Sequence, residues 1–226
     1  MKVTWLGQAG LLFDTGKTKV MIDPYFSDSV EKVNPKSYRR TPVKEELFAL
    51  EPDVLLFTHD HLDHYDPESA EVFLAKGRRK KTVLCPTSVW SRVRKMGGEH
   101  NYVLFDSGTE WTERDLCFSA VMAAHSDPHA IGVVMEAEDG RRFYVTGDTL
   151  YHREIFPLLP AAIDTVFLPV NGMGNNMNAT DALRFFKATG AKRAVPIHVG
   201  MFDEYTPEIF ESEARLLLEV YREKEI

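Results

Sequence analysis

The sequence predicts an α/β protein, a four-layer αββα sandwich with two β-sheets inside and helices outside. Two observations predict it. Short apolar runs separated by Gly-containing turns lead into strand–helix units, and this succession occurs twice along the chain. No low-complexity stretch or linker interrupts it, so residues 1–226 read as one domain built from two similar halves.

Residues 3–6, 10–14 and 19–23 read as a β-meander. Residues 27–41 lack clean periodicity, carry Asn34-Pro35 and several charges, and read as a long loop bordering an active site. Residues 44–50 suit a short helix that stops before Pro52. The run 53–58, Asp-Val-Leu-Leu-Phe-Thr, is nearly all apolar, the pattern of a strand buried on both faces. Helical spacing follows over 67–75, with Pro67 in the first turn and Gly77 as the stop. Residues 82–85 read as a strand and 88–96 as a helix ending at Gly97-Gly98. A second β-rich stretch covers 116–146, with hairpin strands 131–137 and 141–145 joined through Asp139-Gly140. Helix 151–158, strand 165–168, helix 179–189, strand 194–197 and a terminal helix 207–222 complete the order.

A net charge of −7 argues against a protein that grips nucleic acid through its global field. The basic run Arg78-Arg79-Lys80-Lys81 sits between a helix and a strand and reads as a solvated connection. Cys85 and Cys117 stand apart in apolar surroundings, which suits buried small hydrophobes in a reducing compartment rather than a disulfide. The N-terminal residues hold no apolar stretch long enough for a signal peptide, and no run approaches the ~20 residues that span a bilayer. The expectation is a cytoplasmic protein with no membrane partner.

The strongest chemical signal is Thr58-His59-Asp60-His61-Leu62-Asp63-His64. Imidazoles and carboxylates are the usual ligands of zinc, manganese and iron. Four of these side chains, His59, His61, Asp63 and His64, would crowd one ion and suit two. Further ligands are needed, and three candidates sit where strands end: His125 after 121–124, Asp148 after 143–147, and His198 after 194–197. Asp148 is placed to bridge, since a carboxylate has two oxygens and Gly147 permits close backbone approach. Asp23 suits a carboxylate that orients a ligand histidine, or equally an Asp-Pro turn.

These pieces, with Trp5-Leu6-Gly7-Gln8-Ala9-Gly10 and Ile22-Asp23-Pro24-Tyr25, resemble the metallo-β-lactamase superfamily along nearly the whole chain. Asp60, Leu62 and Tyr65 look like its L-ascorbate-6-phosphate lactonase branch, as do residues 23–28, Pro169-Val170-Asn171-Gly172 and Asn175-Asn176-Met177-Asn178. The resemblance implies the αββα sandwich and a two-metal hydrolytic site. Carried over, it gives His59, His61 and His125 to one ion, and Asp63, His64 and His198 to the other, with Asp148 between them. β-Lactamases proper usually carry cysteine where Asp148 stands, so this aspartate points away from antibiotic hydrolysis.

The implied cofactor is a pair of divalent ions, zinc or manganese with iron compatible, and the lactonase resemblance leans towards manganese. The implied reaction is attack by a hydroxide held at the dinuclear site, with Asp63 and Asp148 as its catalytic carboxylates. The expected substrate is a lactone or related ester of a small metabolite, phosphorylated or not. A phosphodiesterase or nuclease on the same site, and a non-catalytic metal-binding sensor, are the rival readings. His129, Asn171 and Asn176 are the substrate-contact candidates, and Asn178 suits a helix cap. The aromatic Phe202 and Tyr205, near Asp203, are read as pocket wall or core. His100 and His152 have no supporting context. The expected partner is a small molecule; no nucleic acid is expected, and a homo-oligomer is compatible with the resemblance.

Overall fold

The structure, a computed structural model, describes residues 1–202 and 210–226. Strands β1 (Lys2–Gly7), β2 (Gly10–Asp14) and β3 (Lys19–Ile22) form the predicted meander. They continue into β4 (Val54–Leu56), β5 (Thr82–Cys85) and β6 (Asn101–Leu104). The pairing β3–β4–β5–β6 is parallel, and β13 (Glu223–Glu225) closes the other edge beside β1. The second sheet has the order β12-β11-β10-β9-β8-β7. Its strands are β7 (Glu110–Glu113), β8 (Leu116–Met122), β9 (Ile131–Ala137), β10 (Arg142–Val145), β11 (Thr165–Pro169) and β12 (Arg193–Ile197).

Three apolar clusters make the layers. Val3, Phe13, Val20 and Leu56 of the first sheet face Phe118, Val133, Phe143 and Phe167 of the second. On the outside of the first sheet, Phe57 and Val83 pack under α2 (Pro67–Leu74) and α3 (Thr87–Val93) through Phe73, Leu74, Val89 and Val93. On the outside of the second, Tyr144 and Val166 pack under α4 (Ala179–Thr189) through Ala182 and Phe185. The result is the predicted sandwich. Central strands such as β4 are buried on both faces, which is why their sequences read as continuous apolar runs.

Several expectations need correction. The terminal helix 207–222 is absent over 210–222; residues 207–209 lie outside the described residues, as do Asp203 and Tyr205. Leu216 N–H donates to Ala194 O at 2.8 Å and Tyr221 N–H to Trp5 O at 2.8 Å. The segment thus satisfies open backbone groups along β12 and β1, and this pairing overrides its helical composition. Residues 44–50 and 151–158 form only 3₁₀ turns, Glu45–Ala49 and Arg153–Leu158, the latter containing Pro157. Within the expected loop 27–41, a single helical turn, α1 (Ser29–Val33), forms. The basic run is not simply solvated: Arg78 pairs with Glu51 at 2.8 Å, Arg79 with Asp53 at 2.7 Å, and the Lys81 side chain is fully buried against Glu51. Cys85 is buried, Cys117 half-buried, and both are free thiols. No described helix is long and apolar enough to cross a membrane.

Candidate metal centre

Chain segments leaving the strands meet at one rim of the sandwich. Asp23 follows β3, His59 to His64 follow β4, His125 follows β8, Asp148 follows β10, and His198 follows β12. Their donor atoms form two groups. His59, His61, His125 and Asp148 offer atoms within 4.8 Å of one another, and so do Asp63, His64 and His198. Asp148, in the first group with His125 Nε2 3.9 Å from its Oδ2, also reaches the second: its Oδ1 is 3.3 Å from His64 Nε2, and its Oδ2 is 3.2 Å from His198 Nε2.

Hydrogen bonds fix which ring nitrogen faces inward. Asp23 Oδ2 accepts from His64 Nδ1 at 2.7 Å and from Thr58 Oγ1 at 2.5 Å. With its proton given to Asp23, Thr58 Oγ1 accepts from His59 Nδ1 at 3.0 Å. His125 Nδ1 donates to the Asn175 carbonyl at 3.1 Å, since a carbonyl can only accept. In all three rings the Nε2 lone pair is left for the centre. His59 Nε2 and His64 Nε2 are buried with no hydrogen-bond partner.

The electrostatics also ask for a cation. Burial, reinforced by the facing His64, holds His59 well below the usual imidazole range. Burial opposes the charge on Asp148, yet facing His198 and His64 hold its carboxyl well below the usual range. Burial opposes the cation of His198, but Asp148 and Asp63 push it up to about 9. Without an ion, then, buried carboxylates draw protons onto the histidines that should bind metal. None of the described residues lining the cleft is lysine or arginine. Nitrogen and oxygen donors, bare inward lone pairs and buried negative charge together fit divalent cations.

The cleft has a volume of about 330 Å³. Ser37, from the 27–41 segment, reaches it, and Arg40 N–H holds that segment to Met201 O at 3.0 Å. Asn176 Nδ2 donates to Asp148 Oδ2 at 2.7 Å, and Asn171 Nδ2 lies 2.9 Å from His198 Nδ1. Both amides therefore touch ligand side chains as well as the cleft. Asn178 caps α4, accepting from Asp181 N–H at 2.9 Å. His129 is exposed and stands apart from the described lining. Phe202 is in that lining; His100 sits elsewhere, 3.2 Å from Leu74 O.

Comparison with known proteins adds identity to this geometry. The sequence model of the beta-lactamase superfamily domain matches residues 18–199, a span that contains all seven donors. The chain belongs to the beta-lactamase superfamily. A UPF0173 protein of Pyrococcus furiosus is 26% identical over 218 residues, covering 94% of this chain and 90% of its own. A UPF0173 metal-dependent hydrolase of Nitratidesulfovibrio vulgaris is 27% identical over 209 residues, covering 89% and 81%. The structure of an isothiocyanate hydrolase from Delia radicum gut bacteria superposes with a TM-score of 0.74 at 19% identity, covering 100% and 99%, a likeness of fold.

One residue of this superfamily site escaped sequence reasoning. Gln8, in the β1–β2 turn, is 3% exposed and donates through Nε2 to Asp63 Oδ2 at 2.8 Å, with His198 Nε2 at 3.1 Å. A lone glutamine in a turn carries no compositional signal. Its one signal was its place in the Trp5–Gly10 piece that carried the family resemblance. Gln8, Asp23 and His198 all have left-handed backbones, with φ of 50°, 45° and 62°. Such conformations persist where surrounding structure holds them, and here they converge on one centre.

Gly147 has the same requirement more strictly. Its φ is +60°, and an added Cβ would stand 2.6 Å from Ile131 O and 3.1 Å from Thr58 Cβ. Gly147→Ala must displace either β9 or the strand that precedes the histidine loop. The expected loss is about 2–3 kcal/mol, read from urea unfolding of metal-free protein. A loss under about 0.5 kcal/mol would contradict the packing described.

Proposed function

We propose that this superfamily member is a hydrolase holding two divalent ions, and that it opens a lactone or related ester of a small metabolite. The observation that supports this best is Asp148, whose carboxylate touches both donor groups: Oδ2 lies 3.9 Å from His125 Nε2 of one and 3.2 Å from His198 Nε2 of the other. His59, His61 and His125 would hold one ion, and Asp63, His64 and His198 the other. The bound ions would acidify water and polarise the reacting substrate oxygen. Asp23, Thr58 and the Asn175 carbonyl keep the imidazoles aimed, so little reorganisation is needed on loading. Asn176 and Gln8 steady the two acidic ligands. A volume of 330 Å³ suits a small molecule.

The lactone preference draws on the resemblance of residues 23–28, 169–172 and 175–178 to the ascorbate-phosphate lactonase branch. The rival phosphodiesterase reading gains little support, because no lysine or arginine is among the described lining residues to grip a second phosphate oxygen. Metal-reconstituted protein should contain two ions per chain by elemental analysis. It should favour simple lactones over bis-p-nitrophenyl phosphate in kcat/KM. One ion or fewer under all loading conditions would overturn the dinuclear assignment, and the opposite substrate preference would overturn the lactonase one.

A further inference from the structure

A second opening lies against the metal cleft. It has a volume of about 360 Å³, and its lining includes Val30, Val33 and Leu62 with Asp60, His61 and Asp63. His61 and Asp63 also line the cleft, so the two spaces share a wall made of ligand side chains. Val33 is 75% exposed, more than any other large hydrophobic residue described. Next comes Met173 at 61%, and it stands in the cleft's own lining. Exposed apolar surface of this kind, gathered beside a reaction centre, marks ligand contact.

The charges around the groove narrow the ligand. Lys32, on the same helical turn as Val33, is engaged by Glu68. Neither groove nor cleft has a lysine or arginine among its described lining residues, while Asp60 and Asp63 both border the groove. An anionic substituent would meet carboxylates there with no cation from the chain to balance it.

We infer that the groove is the subsite for an uncharged alkyl substituent of the substrate, whose reacting carbonyl enters the metal cleft. The inference rests on the hydrolase reading above and sharpens it: the favoured substrate is an alkyl-substituted lactone or ester rather than a phosphorylated one. Occupancy follows from adjacency, because His61 and Asp63 border both spaces and Leu62, between them in the chain, lines the groove with Val30 and Val33.

The test compares γ-valerolactone with γ-nonalactone on metal-loaded protein. Burial in an apolar groove is expected to raise kcat/KM by about two- to fourfold per added methylene, hence about tenfold or more between the two. In the double variant Val30→Ser, Val33→Ser that ratio should fall to about threefold or less. A ratio near one in the native chain, or one retained in the variant, overturns the subsite. If neither lactone turns over, the lactonase reading fails, and the groove is tested on its own. Methyl NMR of zinc-loaded protein should then show saturable shifts at Val30, Val33 and Leu62 with n-octanol well below the concentration at which n-butanol causes them. Equal responses to the two alcohols overturn it.

Discussion

Asp148→Asn is expected to reduce bound metal from two ions per chain to one or none and to lower hydrolysis by about 10³-fold or more. The substitution keeps the shape of the side chain and removes its charge. It also turns one of the two inward atoms from an acceptor into a donor. In the native chain Oδ1 faces His64 and Oδ2 faces His198, with Asn176 Nδ2 already donating to Oδ2. An asparagine oriented to keep the Asn176 bond would present its NH₂ towards His64 Nε2, where a ligand oxygen is required. Elemental analysis and kcat/KM on the preferred lactone measure the two effects, with circular dichroism as the folding control. Full metal content together with activity within about tenfold of native would remove Asp148 from its bridging position.

Asp23→Ala is expected to cost stability as well as metal. Asp23 is 1% exposed and accepts from Thr58 N–H at 2.8 Å, Thr58 Oγ1 at 2.5 Å and His64 Nδ1 at 2.7 Å. Truncation leaves these groups buried and unpaired, and alanine tolerates the φ of 45° less well than aspartate or asparagine. The expected loss is about 3–4 kcal/mol, or about 10 °C in Tm for a chain of this size. Metal affinity should fall by about 10- to 100-fold as His64 loses its fixed tautomer. Asp23→Asn retains an acceptor for Thr58 N–H and a residue suited to the left-handed turn, so about half the stability loss is expected. Urea unfolding in chelator separates this structural effect from metal linkage. An alanine variant destabilised by less than about 1 kcal/mol would show that the network contributes little.

How much of this was legible before the fold was known depends on where each signal resides. The histidine loop was readable because five ionisable side chains in six residues have no packing explanation. His125, Asp148 and His198 were readable because each ends an apolar run, and strand ends share rims. Gln8 was not, because its role comes from a turn whose neighbours in space are 55 and 190 residues away. Strands β6 and β7 were overlooked for a related reason. They are sheet edges with half-exposed patterns, and they lack the apolar continuity of central strands. The segment after residue 209 reads as helix by composition. Its conformation is set by the backbone groups that two distant sheets leave open, which no local pattern records.

The position of β13 beside β1 has a consequence for biosynthesis. On a ribosome β1 emerges long before β13, and β2 can join it at once, but its other edge pairs with β13 only after residues 223–225 have left the exit tunnel. Throughout synthesis a strand with open hydrogen-bonding groups is therefore available to any passing chain. Its outward residues, Lys2 and Thr4, are polar, which makes that interval safer than an apolar edge would be. Nascent chains stalled before residue 223 should on this account be more prone to co-aggregation than those stalled after it, a vulnerability of the unfinished polypeptide that the finished one conceals.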